Sequence, residues 1–188
     1  MQKFKASIQM KISASVFLAI ILLSCNSKVE QKAVDKTDNV AQNEAELKTQ
    51  DFDLEVYDFE GLSPLLNKTD GKTYVINFWA TWCAPCVKEL PYFEKLQANY
   101  NSKNVEVILV SLDFPHQYET KLKPFIKTHN LKSKVVVLDD ADANSWIPKV
   151  SENWSGSIPA TIIYKNNKRG FYEQSFTYDE LENELQKF

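Results

Sequence analysis

The sequence predicts an α/β fold: a central mixed β-sheet flanked by helices, with an extra strand at the N-terminal side. Three observations predict it. Short runs of β-branched and aromatic residues alternate with stretches whose apolar residues fall three or four apart. Behind a leading strand, the order of these segments is β-α-β-α-β-β-α. A Cys-x-x-Cys pair, Cys83 and Cys86, lies where a buried strand gives way to a helix.

Phe52, Leu54 and Val56 alternate with Asp53, Glu55 and Tyr57, the pattern of a strand with one wet face. Residues 61–67 form a short turn or helix. Tyr74 to Trp79, following Asp70-Gly71-Lys72, reads as a buried strand. Val87, Leu90, Phe93, Leu96 and Tyr100 then mark a helix. Pro91 inside it predicts a kink near Val87, because the ring clashes with the carbonyl four residues back. Val105 to Leu112 is a second buried strand. Asp113-Phe114-Pro115 predicts a helix start by capping and proline chemistry. Tyr118, Leu122, Phe125 and Ile126 form that helix's apolar face, and Pro124 divides it. Val135 to Leu138 is a third core strand. Residues 139–157 form an irregular connection with one helix over 145–150. Ala160 to Tyr164 and Gly170 to Gln174 flank Asn166-Asn167-Lys168-Arg169 as a hairpin. A capping box, Thr177 with Glu180, opens the last helix, whose Leu181, Leu185 and Phe188 share a face.

The first residues have a different character. Lys3, Lys5 and Lys11 form a basic region ahead of an apolar stretch, Ile12 to Leu23, that is shorter than the ~20 residues of a membrane span. It ends Leu22-Leu23-Ser24-Cys25, which resembles a bacterial lipoprotein signal. That resemblance implies cleavage before Cys25 and lipidation of Cys25, so residues 1–24 are read as a signal peptide. Residues 25–50 are read as the lipidated cysteine and a flexible tether: polar, charge-mixed and without an aromatic. One globular domain follows, 51–188.

Charge narrows the partners. The net charge of −3 falls to −6 once the three leader lysines are removed. The chain has no basic block, which argues against nucleic acid. Three cysteines is an odd number for an exported protein, and lipid on Cys25 leaves Cys83 and Cys86 as a closed pair.

The placement of that pair has chemical consequences. The thiolate is the nucleophile, and the first turn of a helix carries unpaired N–H groups and the positive end of the dipole. Cys83 at that position is expected to have its pKa lowered into the range of roughly 3.5–7.5. Cys86, three residues on, shares its face, and Pro85 is tolerated in the first turn. The pair can close to a disulfide or open to a dithiol. A zinc site needs a second ligand pair, and Cys25, His116 and His129 supply no further Cys-x-x-Cys or His-x-x-x-His. Asp139, Asp140 and Asp142 read as a solvated loop, His129 as a helix-surface residue and Trp79 as core. No metal or organic cofactor is expected.

Trp82-Cys83-Ala84-Pro85-Cys86, followed by Ser157-Ile158-Pro159-Ala160-Thr161 ahead of the hairpin, resembles the thioredoxin superfamily. Phe78-Trp79-Ala80-Thr81-Trp82 and Val87-Lys88-Glu89-Leu90-Pro91 resemble its membrane-tethered TlpA-like and ResA-like thiol-disulfide oxidoreductases. The resemblance implies a thioredoxin-like fold, with Cys83 as the attacking thiolate and Cys86 as the resolving thiol. Pro159 matches a cis-proline that lies against the disulfide and helps hold a partner's backbone. Trp82, Pro85, Ile158 and Pro159 are the implied substrate-binding residues. Glu89 matches an acid that handles protons for the cysteines. Cytoplasmic thioredoxins carry a buried aspartate where this chain has Asn77, which cannot take a proton, so that task shifts toward Glu89.

The chain is expected to be a monomer in the bacterial cell envelope, lipid-anchored and facing the periplasm. It would reduce protein disulfides, for example in cytochrome c maturation, with electrons from a membrane thiol donor. Two alternatives stand beside this. A redoxin-type peroxidase wants a Thr three residues before its reactive cysteine, where this chain has Ala80. A copper- or thiol-binding thioredoxin-like protein wants a Cys-x-x-x-Cys and a distant His. Mass spectrometry of membrane-extracted protein is expected to find acylated Cys25 as the first residue; intact Met1 would contradict the leader reading.

Overall fold

The computed structural model describes residues 52–188; Cys25 and the segments 1–24 and 25–50 lie outside them. Six strands form one sheet: β1 (Glu55–Tyr57), β2 (Thr73–Trp79), β3 (Val105–Ser111), β4 (Lys134–Leu138), β5 (Ala160–Lys165) and β6 (Lys168–Tyr172). Their spatial order is β1-β4-β3-β2-β5-β6. β1, β4, β3 and β2 run parallel, and β5 and β6 are antiparallel to their neighbours, which gives the mixed sheet expected.

β2 is buried along its whole length, as a central strand with both faces covered must be. Its side chains alternate between two cores. Val75 and Trp79 join one core with Leu90, Phe93 and Leu96 of helix α2 (Ala84–Tyr100), Ile126 of α3 (Lys123–Thr128) and Leu181 and Leu185 of α5 (Tyr178–Leu185). Tyr74, Ile76 and Phe78 join the other with Leu62 of α1 (Phe59–Leu62) and Trp146 and Val150 of α4 (Ala143–Val150). Trp79 is core, as expected, at 0% exposure.

Several details depart from the sequence reading. β1 is three residues long on a sheet edge, and Val56 stays 45% exposed rather than facing the core. Asp113 does not cap the next helix. The N-cap is Phe114, with Pro115 in the first turn and no side-chain cap. Asp113 instead turns back and accepts from the N–H and hydroxyl of Thr81 and from the Ser111 hydroxyl. A 3-10 turn (Pro115–Gln117) and a π turn (Tyr118–Leu122) precede α3, which has Pro124 in its first turn, so this proline starts a helix segment. α4 begins at Ala143, two residues before the expected start. β6 begins at Lys168, because the turn is the two residues Asn166-Asn167, with Asn166 at φ 51°.

Asp140 accepts from the backbone N–H groups of Phe59 and Asp142. His129 is exposed and stacks on Phe125. Among the described residues, no helix is long and apolar enough to cross a membrane.

The capping box is present: the Thr177 hydroxyl accepts from Glu180 N–H, and the Glu180 carboxylate accepts from Thr177 N–H. Thr177→Ala is expected to cost about 1 kcal/mol, seen as a lower urea midpoint at unchanged slope.

Candidate active site

The parallel strands β2 and β3 end side by side, with Trp79 opposite Ser111, and antiparallel β5 begins at the same edge, with Ala160 opposite Phe78. Three loops therefore gather beyond that edge, where ligands of α/β sheets bind. They carry Thr81-Trp82-Cys83, Asp113-Phe114 and Ile158-Pro159.

Cys83 and Cys86 form a disulfide. Cys83 is the N-cap of α2, one residue before the first turn in which the sequence placed it. The Cys86 N–H points at its sulfur, 3.3 Å away. A thiolate at Cys83 would receive that N–H and the positive end of a helix that runs to Tyr100. Cys83 is 6% exposed and Cys86 0%, so the first sulfur lies at the rim and the second inside. Pro85 is exposed in the first turn.

The Ile158–Pro159 peptide bond is cis, and the Ile158 carbonyl oxygen lies 3.7 Å from Cys83 Sγ. Pro159 is buried and Ile158 half-buried. Trp82 is 51% exposed. The structure thus brings Trp82, Cys83, Pro85, Cys86, Ile158 and Pro159 together.

Glu89 lies one helical turn beyond Cys86 on α2 and is 1% exposed. Asn77 Nδ2 donates to its Oε1 at 3.0 Å, and the Phe176 N–H donates to its Oε2 at 2.7 Å. Asn77 Nδ2 also reaches Thr161 Oγ1 at 3.1 Å, two residues past Pro159. Thr161 and Phe176 were not picked out from the sequence; alternation along β5 could have marked Thr161 as a polar core position. Burial pushes the Glu89 pKa up to about 7, against the two hydrogen bonds that favour the anion. Asn77 Oδ1 is buried with no hydrogen-bond partner. A cavity of about 280 Å³, lined by Pro85, Lys88, Glu89, Tyr92 and Phe176 among others, lies beside the carboxyl.

The raised pKa fixes the sign of a stability effect. Between 4.5, the ordinary value, and about 7, folded Glu89 keeps a proton that the unfolded chain has released. Its contribution to stability therefore falls as pH rises through that window, by on the order of 2–3 kcal/mol. Urea unfolding of oxidised wild type and Glu89→Gln at about pH 5 and about pH 8 is expected to show the variant gaining on the wild type at the higher pH; a pH-independent difference would contradict the burial effect.

Residues 45–169 match the AhpC/TSA family. Thiol-disulfide oxidoreductase ResA of Bacillus cereus is 40% identical over 82 residues, 44% of this chain and 46% of the relative, so that match spans about half the relative's length. The protein of the same name from Bacillus thuringiensis subsp. konkukian is 32% identical over 133 residues, 71% of this chain and 70% of the relative. A thiol:disulfide interchange protein of the thioredoxin family from Chlorobium tepidum superposes with a TM-score of 0.53 at 21% identity, over 66% of this chain and 83% of that one, and shares the fold. With a disulfide at the head of α2 and the carbonyl of a cis Ile158–Pro159 bond beside its first sulfur, the chain belongs to the AhpC/TSA family and groups there with the thiol-disulfide oxidoreductases.

Proposed function

We propose that this thiol-disulfide oxidoreductase is a reductant of protein disulfides, held by lipid on Cys25 at a membrane of the bacterial cell envelope and facing the periplasm. The observation that carries the chemistry is the unequal burial of a bonded pair: Cys83 at the rim, receiving a backbone N–H, and Cys86 enclosed above a buried acid.

The cycle starts from the dithiol. The Cys83 thiolate attacks one sulfur of a partner disulfide, and the partner's other sulfur leaves with the electron pair as a thiolate and is protonated. Cys86 loses its proton and attacks Cys83, which releases the second partner thiol and closes Cys83–Cys86. Two electrons pass to the partner. Glu89, with a pKa near 7, accepts the Cys86 proton at neutral pH and returns it on re-reduction. Trp82, Pro85, Ile158 and Pro159 frame the partner's backbone.

A membrane thiol donor regenerates the dithiol, and apocytochrome c is a candidate partner by family resemblance. The protein works as a monomer, without a metal or organic cofactor. Ala80, three residues before Cys83, and the Cys-x-x-Cys spacing support this reading over peroxide reduction and copper handling.

Insulin reduction by purified reduced protein is expected, with loss in Cys83→Ser, and Cys86→Ser is expected to trap a mixed disulfide on Cys83 in cells. Turnover of peroxide without insulin reduction would select the peroxidase instead. In Glu89→Gln the rate of the resolving step is expected to lose its rise through about pH 7; an unchanged profile would remove Glu89 from the cycle.

A further inference from the structure

Beside the reacting sulfur the protein exposes a row of three flat rings. Trp82 stacks on Phe114 with centroids 6.2 Å apart and planes 15° apart. Phe114 stacks on His116 at 5.9 Å and 7°. Trp82 and Phe114 are 51% and 54% exposed, and His116 is exposed as well. Trp82 and Phe114 are two of the three exposed large hydrophobic side chains among the described residues.

The row is built in place. Leu112 N–H donates to the Trp79 carbonyl at 2.8 Å. One residue on, buried Asp113 binds the Thr81 N–H and hydroxyl. These bonds fasten the residue before Trp82 to the residue before Phe114, so the two rings are held in register by their own backbones. The row begins at Trp82, next to Cys83. On the sulfur's other side stands the Ile158 carbonyl.

Charge indicates what fits there. Segments 79–86, 112–117 and 155–160 contain no lysine or arginine and a single acid, Asp113. Asp113 is 2% exposed and its oxygens are taken by Thr81 and Ser111. An occupant finds ring faces and backbone here, with no lysine, arginine or exposed acid from these loops.

We propose that Phe114 and His116 extend the partner-binding surface from Trp82 and select protein disulfides in which an aromatic residue adjoins the attacked cysteine. The inference rests on the disulfide-reductant reading. A partner sulfur bonded to Cys83 brings its neighbouring side chain alongside the row, where a ring packs on Phe114 as well as on Trp82.

Two peptides test this, each closed by an internal disulfide and differing only in Phe or Ser beside one cysteine. Rate constants for their reduction by stoichiometric reduced protein are measured by quenched-flow chromatography. Wild type is expected to favour the Phe peptide by roughly fivefold, the worth of one added aromatic contact. The preference should vanish in Phe114→Ser and return in Phe114→Tyr; it should shrink in His116→Ser, which also carries the test if Phe114→Ser fails to fold. Equal rates on both peptides in wild type, or a preference that survives both serine variants, would overturn the aromatic selection and leave the reductant reading intact. Reduction of neither peptide by wild type would overturn both.

Discussion

The reacting groups take their positions from the complete burial of β2. A strand covered on both faces has one register available, because a slip of a single residue would exchange Val75 and Trp79 with Tyr74, Ile76 and Phe78 between the two cores. With the register fixed, Asn77 must face α2, and the chain must leave the sheet at Trp79. The Cys83 sulfur, the N-terminus of α2 and the neighbouring ends of β3 and β5 then meet without further instruction. The same alternation that fills the cores delivers the chemistry.

An acid in such a place is expensive. Enclosing Glu89 raises its proton affinity, and only two donors, one from Asn77 and one from the backbone of Phe176, support its anion. An isolated carboxylate at this depth would remain protonated at neutral pH. One with two donors is poised near neutrality, where taking up and releasing a proton cost about the same. Asn77, neutral, supports the anion without adding a second charge. This accounts for an amide at a position where an aspartate would set two buried acids against each other.

Much of this was legible in the sequence. Buried strands announced themselves by β-branched runs, the cysteine helix by its spacing and the last helix by Thr177 and Glu180, because each signal is local. The cysteine pair and Pro159 stood out by motif. What escaped depended on contacts across the fold. Asp113 before Phe114-Pro115 looks like a helix cap, and only the approach of Thr81 from another loop gives its carboxylate other employment. Val56 follows an alternating pattern, but an edge strand of three residues leaves it in water. The pairing of Glu89 with Phe176 spans 87 residues of sequence, beyond any local rule.

That last pairing reaches further than the site. Phe176 precedes the cap of α5, and its amide proton is held by an oxygen of the buried acid, whose charge would come and go with the redox cycle in the proposed mechanism. An anionic oxygen grips an amide more tightly than a neutral one. In that mechanism the C-terminal helix would be a remote gauge of the sulfur chemistry: the tether on its leading residue would slacken as the buried acid takes a proton and tighten as it gives one up.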